Sequence, residues 1–220
     1  MTQATTAEHA ASEQGFPDAI GFGFAELVAL LNLVRGEAST ASAAALRIEA
    51  ELNDDKVLFA GASSLVARGF ATVEAGGELS ISGPVAAVTH ALSTATRRMQ
   101  IDLLTADSVD NVITVDAPEY QIILQPRAYL TWFAMAQKPG LTSAEADFWI
   151  MRKHLQENPA GGAGIRRLED PSAAQLLLKL VGDSWTVGYN TTEPQDIAEI
   201  VGLSDADVIE KIRQIRQDQL

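Results

Sequence analysis

The sequence contains no cysteine among its 220 residues. This absence excludes disulfide bonds, thiolate nucleophiles and zinc sites built from thiolates. The three histidines, His9, His90 and His154, lie far apart, and none has a second histidine at the spacing of a pair of metal ligands. We therefore expect no metal site in this protein.

Long apolar runs are also missing. No stretch approaches the ~20 apolar residues that a membrane-spanning helix requires. Residues 1–15 lack the basic and apolar segments of a secretory signal. We expect a cytoplasmic protein that does not enter a membrane.

Basic residues are scarce. The chain has 16 lysines and arginines against 29 aspartates and glutamates, a formal net charge of −13 at pH 7. Such an anionic protein repels phosphate backbones and anionic lipid surfaces. The composition therefore argues against nucleic acid and membranes as partners and favours another protein. Association with further copies of this chain stays open.

Motifs for catalysis and cofactor binding are missing as well. The glycine-rich segment at residues 158–164 lies between a predicted helix and a predicted strand, the reverse of the dinucleotide-binding order, and it lacks the Lys-Ser/Thr ending of a P-loop. We interpret it as a connection, and we expect no cofactor and no catalytic residue. An enzyme whose site assembles from distant residues, with His90 or His154 beside carboxylates, remains an alternative.

Hydrophobic periodicity predicts an α+β fold. Residues 1–15 are small and polar and are expected to form a disordered tail, and residues 16–220 to form a single domain, with a subdivision into 16–98 and 99–220 as an alternative. Helical spacing predicts an N-terminal helical unit and a helical C-terminal part, with helices over residues 24–35, 39–53, 58–68, 84–96, 142–158, 172–181, 194–201 and 205–217. β-branched and aromatic runs predict a central antiparallel sheet, with strands over residues 99–104, 111–115, 119–125, 128–135, 164–168 and 185–189.

The most specific local pattern lies between residues 57 and 99. A predicted helix ends at Gly69, a hairpin follows with Gly76-Gly77 at its turn, and a second helix comes next. Winged-helix modules have this order of elements. We therefore expect the N-terminal unit to be winged-helix-like.

A winged-helix unit raises the alternative of a transcriptional regulator. Nucleic acid would then be contacted by Arg68, Arg97 and Arg98, provided that dimerisation gathers enough basic surface and that these arginines share one face. The tip of the hairpin carries Glu74 and Glu78, which would repel phosphate groups. Packing or protein contact is therefore the favoured role of this unit.

Aromatic residues cluster in the predicted strand over residues 128–135. Tyr129, Trp132, Phe133 and Met135 lie within seven residues of each other. Because aromatic anchors dominate the affinity of many protein interfaces, we predict that these residues form a protein-binding surface. Packing in the core is the alternative use of the same side chains.

Several spaced motifs follow one another along residues 26–200. They are Leu65-x-x-Arg68-Gly69-Phe70, Gly77-x-Leu79, a helix with Val85, Val88 and Leu92, Arg98-x-x-Ile101-x-Leu103, and Trp185-Thr186-Val187-Gly188-Tyr189. This order resembles the EspG family, the cytosolic chaperones of actinobacterial type VII secretion. The resemblance implies an α+β fold with a central sheet and a role in holding a secretion substrate. We expect a chaperone or adaptor, without assigning binding residues from the family.

Overall fold

The computed structural model describes residues 19–170, 174–190 and 199–217. Within these ranges the chain forms six α-helices and eleven strands. None of the helices in the described ranges is long and apolar enough to cross a membrane. The tail that was predicted over residues 1–15 lies outside the described residues.

The N-terminal part is helical and begins with a short strand. Its elements are β1 Ile20–Gly23, α1 Phe24–Leu33, α2 Glu37–Leu46, α3 Asp55–Ala67, β2 Ala71–Val73, β3 Leu79–Ile81 and α4 Gly83–Thr94. α2 ends where Arg47 adopts a left-handed conformation with φ of 60°. α3 begins where the Asp54 carboxylate accepts hydrogen bonds from the backbone N–H groups of Lys56 and Val57. The second predicted helix is therefore shorter than expected, and a 3₁₀ turn at Glu49–Glu51 follows it.

The rest of the chain builds most of the sheet and two further helices. These elements are β4 Arg97–Leu104, β5 Val109–Asp116, β6 Gln121–Arg127, β7 Thr131–Ala136, α5 Ser143–Glu157, β8 Gly162–Arg167, β9 Gln175–Val181, β10 Ser184–Asn190, β11 Ile200–Leu203 and α6 Asp205–Gln217. The glycine-rich segment connects α5 to β8, as predicted.

Nine of the strands form one antiparallel sheet in the order β1-β7-β6-β5-β4-β8-β9-β10-β11. Strands β4 to β7 are neighbours both in the chain and in the sheet, which confirms the predicted antiparallel meander. The mixture of helices with a large antiparallel sheet confirms the predicted α+β class.

The helices cover different halves of the two faces of this sheet. Helices α1 to α4 pack against β1 and β5 to β7, with a core that contains Leu30, Val115 and Leu124. Helices α5 and α6 pack on the opposite face against β4 and β8 to β10, with a core that contains Met99 and Trp185. Because side chains alternate between faces along a strand, each strand contributes to both sides of the sheet. Part of each face therefore carries no helix from the described residues.

One predicted helix is wrong, and another is wrong where the structure describes it. The helix expected over residues 172–181 is strand β9 from residue 175 onward, paired with β8 and β10 in the sheet. The run Leu176-Leu177-Leu178 favours a helix by local propensity, but Leu176 and Leu178 are buried on one face while Leu177 lies on the other. Of the helix expected over residues 194–201, the part at 200 and 201 is strand β11, and residues 194–198 lie outside the described residues.

The helix, hairpin and helix that were predicted around Gly69 are present as α3, β2–β3 and α4. In the described part of the chain the hairpin forms its own two-stranded sheet and does not join the large one. The winged-helix designation of this unit stays a prediction.

Candidate protein-binding groove

A groove runs between α5 and the strands that no described helix covers on that face. Its floor is formed by Ile123 of β6 and Met135 of β7, which are partners across the two strands. Its wall is formed by Trp149 and Ile150 of α5. We call this depression the α5 groove. Because its floor and wall are mostly apolar, it is suited to an apolar segment of a partner.

The α5 groove consists of two adjoining depressions of about 630 and 340 Å³. Both are lined by Ile123, Ile150 and Lys153. The larger one also contacts Lys138, whereas the smaller one also contacts Glu157. Lys153 lies 4.0 Å from Glu157, so the rim of this mainly apolar groove carries both signs of charge.

Phe133 extends the apolar surface beyond the groove toward the edge of the sheet. It lies on the same face as Met135, two positions away on β7, and it is 39% exposed. Its ring rests on the backbone of Gly21 in the edge strand β1, where an added Cβ would approach the ring to 3.2 Å. Glycine at this position therefore lets the aromatic ring lie flat against the sheet.

The hairpin tip between β6 and β7 exposes two further large side chains. Tyr129 is 97% exposed and Leu130 is 61% exposed. Both residues have positive φ, 62° and 54°, which costs about 1–2 kcal/mol for each residue other than glycine. The Leu130 carbonyl accepts a hydrogen bond of 2.9 Å from the Phe24 N–H at the start of α1. Strained, exposed apolar residues at a fixed tip are typical of a functional contact.

A buried ion cluster fixes the position of α5. Asp147 of α5 is fully buried and pairs with Arg216 of α6, which also pairs with Asp116 at the end of β5. Thr114 donates a hydrogen bond of 3.0 Å to the Asp147 carboxylate. Burial raises the pKa of Asp147 to about 6, against the opposing effect of Arg216. The cluster ties α5, α6 and the sheet together, so it holds one wall of the groove in place.

Trp149 is presented by the same helix on its exposed side. Its side chain is 48% exposed, and the Arg152 guanidinium lies 4.9 Å from the centre of its ring. Arg152 is held in turn by Asp205 of α6, which also accepts a hydrogen bond of 2.7 Å from the buried Trp185. The indole of Trp149 is therefore an exposed aromatic with a fixed support beneath it.

The predicted binding residues fall into three groups. Phe133 and Met135 face the surface beside α5, and Tyr129 projects from the hairpin tip. Trp132 is only 5% exposed and packs in the core under α1 to α4. It is therefore in no position to touch a partner, and its burial has a simple cause, since it alternates with Phe133 along β7.

The arginines of the regulator alternative do not form one surface. Arg97 and Arg98 are consecutive on β4 and point to opposite faces of the sheet. Arg97 lies 3.8 Å from Asp116, and Arg98 is buried against Glu169 at 3.1 Å. Arg68 pairs with the buried Glu26 at 2.6 Å. Each of the three thus has a carboxylate partner inside the fold.

Sequence reasoning missed the contribution of Trp149, Ile150 and Ile123 to a single surface. The signal was present in the segment Phe148-Trp149-Ile150-Met151, which is apolar nearly all around a helix. An apolar residue that is surplus to the buried face must lie outside the core. The sequence of this helix does not indicate, however, that Trp149 and Ile150 lie beside Ile123, because that contact depends on how the helix packs on the sheet.

The described residues contain no group of three or more side chains that could hold a metal ion. The ring of His154 is engaged with the Leu104 carbonyl at 3.0 Å, and His90 packs edge-on against Tyr120 with ring centres 5.8 Å apart.

Both histidines of the enzyme alternative lie near carboxylates. His90 is 3.7 Å from Glu119, and His154 lines the smaller depression of the α5 groove together with Glu157. In the described part of the chain, neither histidine shows a serine partner of the kind that a triad requires.

No protein-family model matches this sequence, and no curated protein sequence matches it significantly. The chain is similar in structure to a chain of the complex between the Mycobacterium tuberculosis type VII secretion system chaperone EspG5 and the PE25-PPE41 dimer. The TM-score is 0.56 with 11% sequence identity, over 92% of this chain and 96% of that chain. At this identity the likeness shows a shared fold. The expected resemblance to the EspG family thus holds for the fold.

Proposed function

We propose that this protein is a protein-binding chaperone or adaptor that holds an apolar segment of another polypeptide in the α5 groove. The observation that carries the proposal is the joint exposure of Phe133 and Trp149 on either side of that groove. Folded proteins normally bury large aromatic side chains, and an exposed pair beside a depression is typical of an interaction site.

The dimensions of the groove limit the segment that it can hold. Its lining on α5 runs from Ala146 to Glu157, which is about 17 Å at the usual rise of a helix. A helical segment of roughly 12 residues has the same length. The rim carries Lys138 and Lys153 together with Glu157, so polar residues of either charge can flank the apolar ones. The expected partner segment is therefore short and amphipathic.

A secretion substrate is the partner class that we propose. The support is the shared fold with EspG5, which is described as a type VII secretion system chaperone in complex with the PE25-PPE41 dimer. Such a role places the protein in the cytoplasm, where substrates are held before export. This role requires that the groove cover apolar surface of the substrate and that the substrate be released later.

Site-specific photo-crosslinking tests this proposal. The tagged chain is expressed in a host with a type VII secretion system, with a photo-reactive phenylalanine analogue at Phe133 or Trp149. We expect both positions to crosslink to the same polypeptide, and mass spectrometry to map the crosslinks to an apolar segment of a secreted protein.

Phe59 provides a matched control, because it is 76% exposed on α3, under the other face of the sheet. The analogue at Phe59 should not capture that polypeptide. Once the partner is identified, Phe133→Ser and Trp149→Ser should each raise the Kd for that partner by about 30-fold, which is the effect of losing a hot spot of about 2 kcal/mol. Phe59→Ser should leave Kd unchanged. Equal capture at all three positions, or a Kd unaffected by the groove variants, would contradict the proposal.

A further inference from the structure

A second depression lies on the face of the sheet opposite to the α5 groove, between α2 and the strands β4 and β8. Its lining contains four arginines, Arg47, Arg98, Arg166 and Arg167, and one carboxylate, that of Glu169. We call it the arginine cleft. Such a concentration of positive charge stands out in a chain whose formal net charge is −13.

One side of the arginine cleft is fixed by Arg98. This side chain is buried, and its guanidinium donates hydrogen bonds to Ser42 Oγ at 2.9 Å, the Ala38 carbonyl at 2.6 Å and Glu169 at 3.1 Å. Glu169 also lies 3.7 Å from Arg167. Two guanidinium groups therefore share the Glu169 carboxylate. Burial lowers the pKa of Arg98, and Glu169 opposes that effect.

Arg166 adds a charge that no described carboxylate pairs. Its guanidinium donates a hydrogen bond of 3.1 Å to the side-chain oxygen of Gln100 on the neighbouring strand. The amide of Gln100 donates in turn to Asp102 at 2.6 Å, and Asp102 also accepts from Gln175 at 3.0 Å. The nearest carboxylate along β4 is thus occupied by two amides. Arg166 is oriented by a neutral partner and keeps further N–H donors for a ligand.

Arg47 closes the cleft from the other side. It follows the last turn of α2, and its left-handed conformation ends that helix. The side chain is exposed and makes no ion pair with a described residue. Ala41, Ala44 and Ala45 line the wall of α2 below it. Because these side chains are small, they leave a volume of about 400 Å³ beside the arginines.

We infer that the arginine cleft binds a small phosphate-bearing ligand. Guanidinium groups match the geometry of phosphate oxygens and bind them with paired hydrogen bonds. The volume of about 400 Å³ lies within the usual range of roughly 300–1,000 Å³ for small-molecule sites. The phosphate would lie between Arg47 and Arg166, and the uncharged remainder of the ligand would lie against the alanine wall.

The net charge of the protein favours a compact anion over an extended one. Charges on exposed surfaces are screened beyond about 8 Å at physiological ionic strength. A small phosphate inside the cleft therefore responds mainly to the arginines around it. An acidic peptide or a nucleic acid would extend past the cleft onto the anionic surface and would be repelled there.

Calorimetric titration of the full chain with pyrophosphate and with ADP, in phosphate-free buffer without divalent cations, tests this inference. We expect saturable binding with Kd below about 1 mM for at least ADP, weakening as salt is raised. The double variant Arg47→Gln, Arg166→Gln should bind at least tenfold more weakly, since a hydrogen bond to a charged group is worth about one order of magnitude in affinity.

Arg213→Gln removes the same charge from an exposed site on α6, at the opposite face of the sheet, and serves as the control. It should leave the affinity for ADP and pyrophosphate unchanged. The inference is overturned if neither probe binds saturably, if the double variant binds as well as the parent, or if the control loses as much affinity. If hexaglutamate competes with ADP and binds with equal affinity, the inference of a phosphate-bearing ligand is overturned and the cleft is assigned to an acidic peptide. None of these outcomes bears on the α5 groove, which lies on the other face.

Discussion

Replacement of Asp147 by asparagine tests whether burial or the ion pair with Arg216 has the larger effect on the pKa of the Asp147 carboxyl. Asp147 is fully buried, yet it pairs with Arg216 and accepts a hydrogen bond from Thr114. If burial outweighs these contacts, the carboxyl is more easily protonated in the folded protein than in the unfolded chain. If the ion pair outweighs burial, the opposite holds.

The expected magnitude follows from the pKa. Burial raises the pKa of Asp147 from its ordinary value of 3.8 to about 6. Between these two pH values the folded state binds more protons than the unfolded state, so the free energy of unfolding falls as the pH rises. The loss is complete above pH 6 and amounts to about 3 kcal/mol, since one pKa unit is worth ~1.4 kcal/mol. Asparagine is uncharged at every pH and is not subject to this loss.

Urea unfolding of the parent and of Asp147→Asn between pH 4 and pH 7.5 measures this difference. We expect the free energy of unfolding of the variant, minus that of the parent, to increase by about 2 kcal/mol over this range, since part of the effect already lies below pH 4. Asp107→Asn removes a carboxyl from an exposed turn between β4 and β5 and is the control for the loss of one charge. A constant difference for Asp147→Asn, or one that decreases as the pH rises, would show that Arg216 rather than burial governs this carboxyl.

Two further substitutions test packing and strain. In urea unfolding, Gly61→Ala should lower the free energy of unfolding by about 3 kcal/mol, because the added Cβ would overlap the Ala25 carbonyl oxygen and force α1 away from α3. Gly76→Ala is the control, since its Cβ meets open space, and it should change the free energy of unfolding by less than about 0.5 kcal/mol. Equal effects of the two substitutions would refute the close contact at Gly61. Replacing Tyr129-Leu130 by Asn-Gly should raise the melting temperature by relieving backbone strain, which is about 1–2 kcal/mol at each position, and should weaken capture of the partner. A lower melting temperature would mean that these side chains serve the fold itself.

The sequence predicts the sheet meander well because its strands are rich in β-branched and aromatic residues and are joined by short turns. β5 illustrates this, since Val112 to Val115 form a β-branched run that is buried on both faces of the sheet. Prediction fails at β9, where Leu176-Leu177-Leu178 favours a helix and only the pairing with β8 and β10 makes it a strand. The edge strand Ile20–Gly23 was not predicted, since two of its four residues are glycine and its partner β7 lies about a hundred residues away in the sequence.

The candidate groove was predictable only in part. The aromatic cluster pointed to Phe133 and Met135, but the alternation that buries Trp132 depends on which face of β7 is covered by helices. That assignment is set by the packing of α1 to α4, which no local pattern in β7 records. The wall residue Trp149 comes from a helix that follows in the sequence, and its place beside Ile123 depends on the ion cluster at Arg216.

The alternation of β4 has a consequence for genetics. Arg98 and Gln100 line the arginine cleft, whereas Leu103 lines the α5 groove on the reverse side. Neighbouring codons of one strand thus belong to two surfaces on opposite faces of the sheet. A saturation screen across this strand should sort its mutants into two classes: changes at even positions alter the side of the arginine cleft, and changes at odd positions alter the side that carries the α5 groove.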